Sequence, residues 1–546
     1  MVSLLIQNGL IPNPLIKTTI NLSLRKPILC FQPETPKFRT SYHFFDKLSK
    51  SNPIDGQSKV VGFKEKIKED EIVVDVDDDI KINSKEKMMM LCGFGYWIQG
   101  FRCFPWLALN YHMANNLKFD PSTLQLVQYS GNLPMVAKPF YGVLSDALYI
   151  GAAHRIPYIC IGVLLQILSW GPLALIPFVR EALPTLMTCV LLSNLGAAIT
   201  EVAQDALIAE YGQKHKLVGL QSYTFMAIAV AGILGNMVGG LLLSKTHPKT
   251  LLLIFTTLLV LQLFISLSTK EEWLGLSKPP HHRLKHDSIS SSVKRQLSDL
   301  IAALSGEKIS RPLIWIVASI AVVPMLAGPF FCYQTQFLNL DPSVIGMSKV
   351  IGQMLLLSLT VLYNQFWKNI PLRKLIARVQ IIYAVSILLD VVLVKQVNLK
   401  IGIPNEVFTS CFLGLAEAIG TFKTVPFFVL IGSLCPPGCE ASVTAFLASV
   451  LTLSSIVSGF VGVGLAGVLG ITSGNYSNLP VGITLQCLAA LVPLFWIDNL
   501  PLELPGFVKE RTKGRSKRNR RYRRVGRVML NSFFSYRRER KSEPQA

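Results

Sequence analysis

Charge is scarce in this chain: Asp, Glu, Lys and Arg make up 16% of 546 residues, while 50% are hydrophobic. The mean hydropathy is +0.42. So much apolar surface excludes a disordered protein and argues against an ordinary soluble enzyme. The motifs of several chemistries are also missing. There is no phosphate-cradling Gly-Lys-Ser/Thr loop, no nucleophile elbow and no His-Glu-x-x-His helix. ATP-driven pumping and enzymatic catalysis therefore have no site to stand on, and no cofactor is expected. The ten cysteines are scattered, mainly through apolar segments, unlike the dense spacing of a disulfide-stapled secreted domain. Acids are few as well: 33 against 54 Lys and Arg, a net +21. Residues 509–546 hold fifteen basic residues against three acids, so one tail supplies +12 of the excess.

The N-terminus lacks the long apolar run and small-residue cleavage site of a secretory signal. Residues 1–55 instead mix Lys17, Arg25, Lys26, Lys37 and Arg39 with Ser and Thr, and carry only Glu34, Asp46 and Asp55 as acids. This is the composition of an organelle transit peptide, plastid before mitochondrion because no amphipathic Arg-rich helix is evident; a disordered cytosolic terminus is the plainer alternative. Residues 56–87, with Asp75, Asp77, Asp78 and Asp79 close together, read as a solvated charged linker.

From Met88 to about Leu500 the pattern becomes long apolar blocks broken by short polar turns. Each is near the ~20 residues needed to cross ~30 Å of hydrocarbon. About twelve are legible, over 88–112, 122–145, 156–179, 184–206, 217–243, 250–269, 312–338, 343–367, 373–396, 402–431, 440–470 and 479–499. Backbone groups in lipid have no water to bond, so the blocks are expected to be helices of an all-α membrane protein. The long connection 271–311 divides them into six-helix bundles over 88–270 and 312–500, with 501–546 as a basic tail. Its His281, His282 and His286 lack a fixed ligand frame, and Cys435-Pro436-Pro437-Gly438-Cys439 reads as a turn, so no metal site is expected.

The Lys/Arg distribution places both termini, the central loop and Arg155, Lys214, Lys216, Lys368, Arg373 and Lys374 on one inner side. For a plastid envelope protein that side is the stroma. The tail is expected to meet anionic lipid headgroups; RNA binding is a rival use of such a run, and no nucleic acid is expected. The two halves also share a small-residue stripe, Ala231, Gly235 and Gly239 in the fifth block and Gly462, Ala466 and Gly470 in the eleventh. That spacing lets a second backbone come close, and its recurrence fits two parallel repeats facing a central path.

Charges inside apolar blocks cost at least ~2.5 kcal/mol near the bilayer centre and should face a partner or water. Arg102 lies in the first block, Lys138 in the second, Glu201 and Asp205 one turn apart in the fourth with Glu210 just beyond, and Glu417 and Lys423 in the tenth. Arg102, Lys138 and Glu417 are read as cavity-lining, with internal pairing as the alternative. Glu201, Asp205 and Glu210 are read as gating or anchoring ion pairs.

The second and third blocks are joined by Lys138-Pro139-Phe140-Tyr141-Gly142-Val143-Leu144-Ser145-Asp146, followed by Gly151 and His154-Arg155. Gly-x-x-x-Asp with a later basic residue resembles the signature loop of the major facilitator superfamily, in which Asp146 and Arg155 would pair at the inner gate. The longer string Lys-Pro-x-Tyr-Gly-x-x-Ser-Asp resembles the folate–biopterin transporter family within it. The acidic stretch Asn194 to Glu210 and Leu434-Cys435-Pro436-Pro437-Gly438-Cys439-Glu440 resemble that family too. His154-Arg155 and Ala441-Ser442 depart from its usual pattern. The resemblance implies the major facilitator fold and a secondary carrier of folates or pterins. A pterin ring asks for a carboxylate, assigned to Glu417, and the glutamate tail for cations, assigned to Arg102, Lys138 and Lys423. Proton-coupled symport through Glu417 is the favoured drive. A carrier of another organic anion and a non-transporting scaffold working through its tail are the alternatives.

Overall fold

The computed structural model describes residues 86–148, 150, 153–214, 220–274, 298, 306–367, 370–434 and 440–500. The transit segment 1–55, nearly all of the charged linker, most of the central loop, Cys435 and Cys439, and the tail 501–546 lie outside them. From Lys87 onward the described residues belong to one unit; the other, Pro12–Glu86, falls outside them apart from Glu86.

Helices dominate, and among the described residues the only β pairing is two isolated bridges. In the first half, α1 runs over 86–101 and Cys103–Tyr111, and α2 over Pro121–Ser130, Leu133–Val136 and Lys138–Ala147. They are followed by α3 Ile156–Leu175, α4 Leu183–Lys214, α5 Leu220–Leu243 and α6 Pro248–Ser268. The second half has α7 Glu307–Ala321 and Ala327–Cys332, α8 Pro342–Leu362, α9 Leu372–Val394, α10 Asn405–Phe408, Gly414–Phe422 and Val425–Leu434, α11 Glu440–Val468 and α12 Leu479–Leu491.

Nine described helices are long and apolar enough to cross a membrane. The blocks 88–112, 122–145 and 312–338 are instead interrupted, and proline explains each break. Pro105, Pro134, Pro139 and Pro324 cannot donate to the carbonyl four residues earlier, so α1 turns at Arg102, α2 breaks at 131–132 and 137, and α7 opens over 322–326. Large apolar side chains face outward, among them Leu175, Phe264, Leu267, Ile314 and Val385. An apolar exterior of this extent is what a lipid-facing protein presents.

In the first bundle α3 packs on α4 and α6, and α1 on α5 and α6; in the second α9 packs on α12, α8 on α10, and α7 on α11. Backbones come close where glycine allows. A Cβ at Gly162 of α3 would stand 2.5 Å from the Gly196 carbonyl of α4. The two small-residue stripes have matching roles: Gly235 and Gly239 lie against Phe101, Cys103 and Phe104 of α1, and Gly462 against Met325 beside the α7 break. Gly470 falls past the end of α11, with φ +64°.

The halves are related by an internal repeat. Leu117-Lys118-Phe119-Asp120-Pro121-Ser122 and Leu338-Asn339-Leu340-Asp341-Pro342-Ser343 follow five-residue π-helical turns, His112–Asn116 and Tyr333–Phe337. Lys118 and Asn339 both take left-handed backbone, at φ 51° and 50°. Across the seam α5 meets α8, and α2 meets α7 and α11.

Candidate functional site

Two groups of charged residues lie inside the membrane helices. In the first bundle, the Arg102 turn created by Pro105 aims a guanidinium at α4. Its Nη1 donates to Glu201 Oε1 at 2.9 Å and its Nη2 to Asn194 Oδ1 at 2.5 Å. Lys138, which opens the last segment of α2, donates through Nζ to Glu201 Oε2 at 2.5 Å. Asn194 also donates to the Gly131 carbonyl at the α2 break, at 2.6 Å. These ion-pair side chains are 3–5% exposed. Glu201 sits about 4 Å along the axis from the midpoint of α4, so this is a buried bridge near the middle of that helix. One turn on, Asp205 is exposed, and its Oδ1 accepts from the buried Tyr96 hydroxyl at 2.5 Å. The structure thus joins Arg102 and Lys138 through Glu201, rather than leaving both cations facing a lumen.

The second bundle holds a different kind of pair. Glu417 on α10 binds Lys349 on α8, with side chains 31% and 35% exposed. Lys349 shares a helix face with Gly346 and Gln353, by the i, i+3, i+7 spacing. That face lies on α5 of the other half: a Cβ at Gly346 would stand 2.6 Å from the Asn236 carbonyl, and Gln353 packs against Gly232. Glu417 is also within electrostatic range of Tyr129 on α2. The pair therefore lies at the seam between the halves and is partly exposed. Asp390 of α9 lies within electrostatic range of Lys349. Lys423 is not at this pair: it is buried, with Nζ 3.3 Å from the Ser319 carbonyl and 5.5 Å from the centre of the Tyr383 ring.

At the signature-loop end, Arg155 donates to Asp146, to Ser145 Oγ at 2.6 Å, and to Glu210 Oε1 from Nε at 2.9 Å and Nη2 at 2.6 Å. Burial works against the Arg155 charge, but Asp146 and Glu210 outweigh it and raise its pKa. Burial, then the neighbouring Arg155, holds the His154 imidazole below its ordinary pKa. Glu271, just after α6, accepts the backbone N–H groups of His154 at 2.6 Å, Arg155, and Ile156 at 2.8 Å. A carboxylate there satisfies orphan donors of α3 and complements its dipole. These described partners of Asp146 and Arg155 belong to the first bundle or, for Glu271, to the chain directly after it.

Lys349, Asn194 and Glu271 are absent from the sequence-derived set. An ammonium inside the block 343–367 is signal enough for Lys349. The other two act through chain segments distant in sequence, which spacing does not reveal. Among the described residues no group of three His, Cys, Asp or Glu side chains is placed to hold a metal.

Paired helical bundles with broken first, second and seventh helices, and ionised groups inside the membrane helices, define a helical membrane transporter of the major facilitator fold. Solved structures of this fold include the nucleoside transporter NupG, at 15% identity and TM-score 0.52 over 76% of this chain and 98% of that one. A D-xylose-proton symporter matches at 13% identity and TM-score 0.55, over 76% and 98%. The chain belongs to the BT1 family, whose model matches residues 99–519. It is similar to probable folate-biopterin transporter 9, chloroplastic, of Arabidopsis thaliana, with 59% identity over 84% of this chain and 86% of that protein. The folate-biopterin transporter of Synechocystis sp. is 28% identical over 77% and 82%. The chain is accordingly a multi-pass chloroplast membrane transporter and not an enzyme.

Proposed function

We propose that this transporter carries folates or pterins across the inner envelope membrane of the plastid by alternating access. The names of its relatives support the substrate class. The observation that carries the site is the Lys349–Glu417 pair, since a partly exposed ion pair inside a membrane span must face water rather than lipid. Glu417 is the proposed acceptor for the ring, whose amide N–H and exocyclic amine present two parallel donors. Lys349 is the proposed cation for a substrate carboxylate, in place of Arg102 and Lys138, which Glu201 already holds in ion pairs. Substrate entry would then divide the pair.

Proton coupling fits the same residue. Protonation of Glu417 would release Lys349, tying one proton to one change of partner. Residues 1–55 would direct import and be removed, and the basic tail would lie on anionic lipid at the stromal face.

The test is uptake of radiolabelled folate by proteoliposomes containing residues 56–546, with and without an imposed pH gradient. Saturable uptake that Glu417→Gln abolishes supports the reading, and stimulation by an acidic outside supports coupling. Uptake indifferent to the gradient removes coupling alone. Failure of folate and pterin to compete with a second transported organic anion would replace the substrate while retaining the carrier.

A further inference from the structure

The end of the seam bearing Asp120 is closed by side chains that reach from one half to the backbone of the other. The break in α7 strands peptide groups that an unbroken helix would have paired. Its own bundle supplies some of them: Ser458 Oγ donates to the Val323 carbonyl at 2.5 Å, and Met325 N–H donates to the Ser458 carbonyl at 3.2 Å. Two more, together with a carbonyl of α11, are met from across the seam by one residue. Gln125 of α2 donates through Nε2 to the Met325 carbonyl at 2.6 Å and to the Gly459 carbonyl at 2.7 Å, and its Oε1 accepts from Gly328 N–H at 2.9 Å. Gln125 is fully buried.

Its surroundings are cut to admit it. A Cβ at Gly328 would stand 2.6 Å from the Gln125 Cβ, and one at Gly462 would stand 2.7 Å from its Nε2. One turn along the same face of α2, the Tyr129 ring lies over Gly459, where a Cβ would come within 2.2 Å. In the internal repeat the place of Gln125 is taken by Gly346, which makes a bare backbone contact with Gly240 of α5. The two seams related by the repeat therefore differ: α5–α8 is a close glycine contact, and α2–α7–α11 is held by a three-point polar tie.

We infer that Gln125 is the latch of this gate, the residue whose release lets the halves part at the Asp120 end during the transport cycle. While it is engaged, both amide ends and three backbone groups are satisfied across a dry seam. Opening breaks all three bonds at once, and the peptide groups of the α7 break pass to water. Gln125 is thus a positioning residue: it fixes the ratio of closed to open molecules and touches no substrate.

Native thiols give a direct readout. Cys332 is buried on α7 one turn beyond Gly328, on the face turned toward α2, so its reaction with a maleimide measures how often this seam opens. Cys103 is buried between α1 and α5 of the first bundle, its Sγ 3.3 Å from the Gly232 carbonyl, and reports general unfolding. The full chain in lipid nanodiscs would be labelled and each thiol followed by peptide mass spectrometry. Gln125→Ala should raise the Cys332 rate about tenfold or more, the loss of three hydrogen bonds being ample for that, and leave Cys103 unchanged. Gln125→Glu keeps the side-chain volume and the acceptor but cannot donate to the two carbonyls, so it should do the same and decides the matter if the alanine variant gives no protein. Unchanged Cys332 rates would overturn the latch, and so would equal acceleration of Cys332 and Cys103, which marks loss of fold rather than opening of a gate.

Discussion

Replacing Glu201 by Gln removes the one carboxylate that two buried cations share. The Arg102 and Lys138 contacts, at 2.9 and 2.5 Å, lie in surroundings where the side chains are 3–5% exposed, so water does not take the place of the lost charge. Breaking one such pair from one side costs about 3–5 kcal/mol, because the remaining charge stays buried. Here two cations lose the same partner at once, and about 3 kcal/mol is a conservative expectation. At about 1 °C per kcal/mol for a helical unit of roughly 400 residues, that is a drop of about 3–4 °C in the midpoint of thermal aggregation, read by size-exclusion chromatography of heated samples in detergent. The triple variant Arg102→Met, Lys138→Met, Glu201→Gln removes all three charges at similar volume and should recover most of the loss. It should also retain folate uptake if the triad is a structural staple. A Glu201→Gln protein as stable as the parent would refute the electrostatic argument, and a stable triple variant without uptake would return Arg102 and Lys138 to the substrate site.

The Lys349–Glu417 pair should behave in the opposite way. Being about a third exposed, it contributes at most about 1 kcal/mol, so Lys349→Met and Glu417→Gln should move the thermal midpoint little while lowering folate uptake at least tenfold; parallel losses of stability and uptake would contradict this. His154 binds its proton less readily in the folded protein than in the unfolded chain. Its contribution to stability is therefore present above the ordinary histidine value of about 6.5 and is lost as the pH falls below it. His154→Gln should flatten the fall of the thermal midpoint between about pH 7 and pH 5, and an unchanged slope would show that other groups govern it. Glu271→Ala should cost about 1–2 kcal/mol and quicken amide hydrogen exchange at Arg155 and Ile156, whose N–H groups it now accepts; unchanged exchange there would remove its role as the cap of α3.

How much of this could be read from the chain depends on whether the determinant is local. Apolar length and the rarity of charge mark the membrane blocks, because lipid demands them residue by residue. The breaks in α1, α2 and α7 also have local causes, since Pro105, Pro134, Pro139 and Pro324 stand in plain view, but Pro172 lies inside the unbroken α3, so a proline alone does not say where a helix breaks. The partner of a buried charge is another matter. Glu201 and Asp205 are one turn apart, yet they take different donors, the first accepting from Arg102 and Lys138 and the second from the Tyr96 hydroxyl. Nothing in spacing distinguishes a cation that lines a lumen from one held by a carboxylate 63 or 99 positions away. Lys349 was legible by the rule that singles out Lys138; its pairing with Glu417 across 68 positions was not.

The repeat explains why charge is divided as it is. Superposing Asp120-Pro121-Ser122 on Asp341-Pro342-Ser343 places Gln125 on Gly346, Gln128 on Lys349 and Gly131 on Gly352. Gly131 and Gly352 do equivalent work, each letting the fourth helix of its bundle approach, through Asn194 in one case and Gly414 in the other. The framework is thus common to both halves, and the polar residues that depart from it are the ones tied to a single task. In the first half a charged triad ties α1, α2 and α4 together, its two cations engaged by one shared carboxylate. In the second, Lys349 has no cationic counterpart in the repeat, and it faces the seam with its partner partly exposed. A rigid bundle moving against one whose charges can change partner is a physical basis for coupling what enters the seam to the way the halves rock, because only the second pair can be divided by a ligand without stranding charge in a dry core.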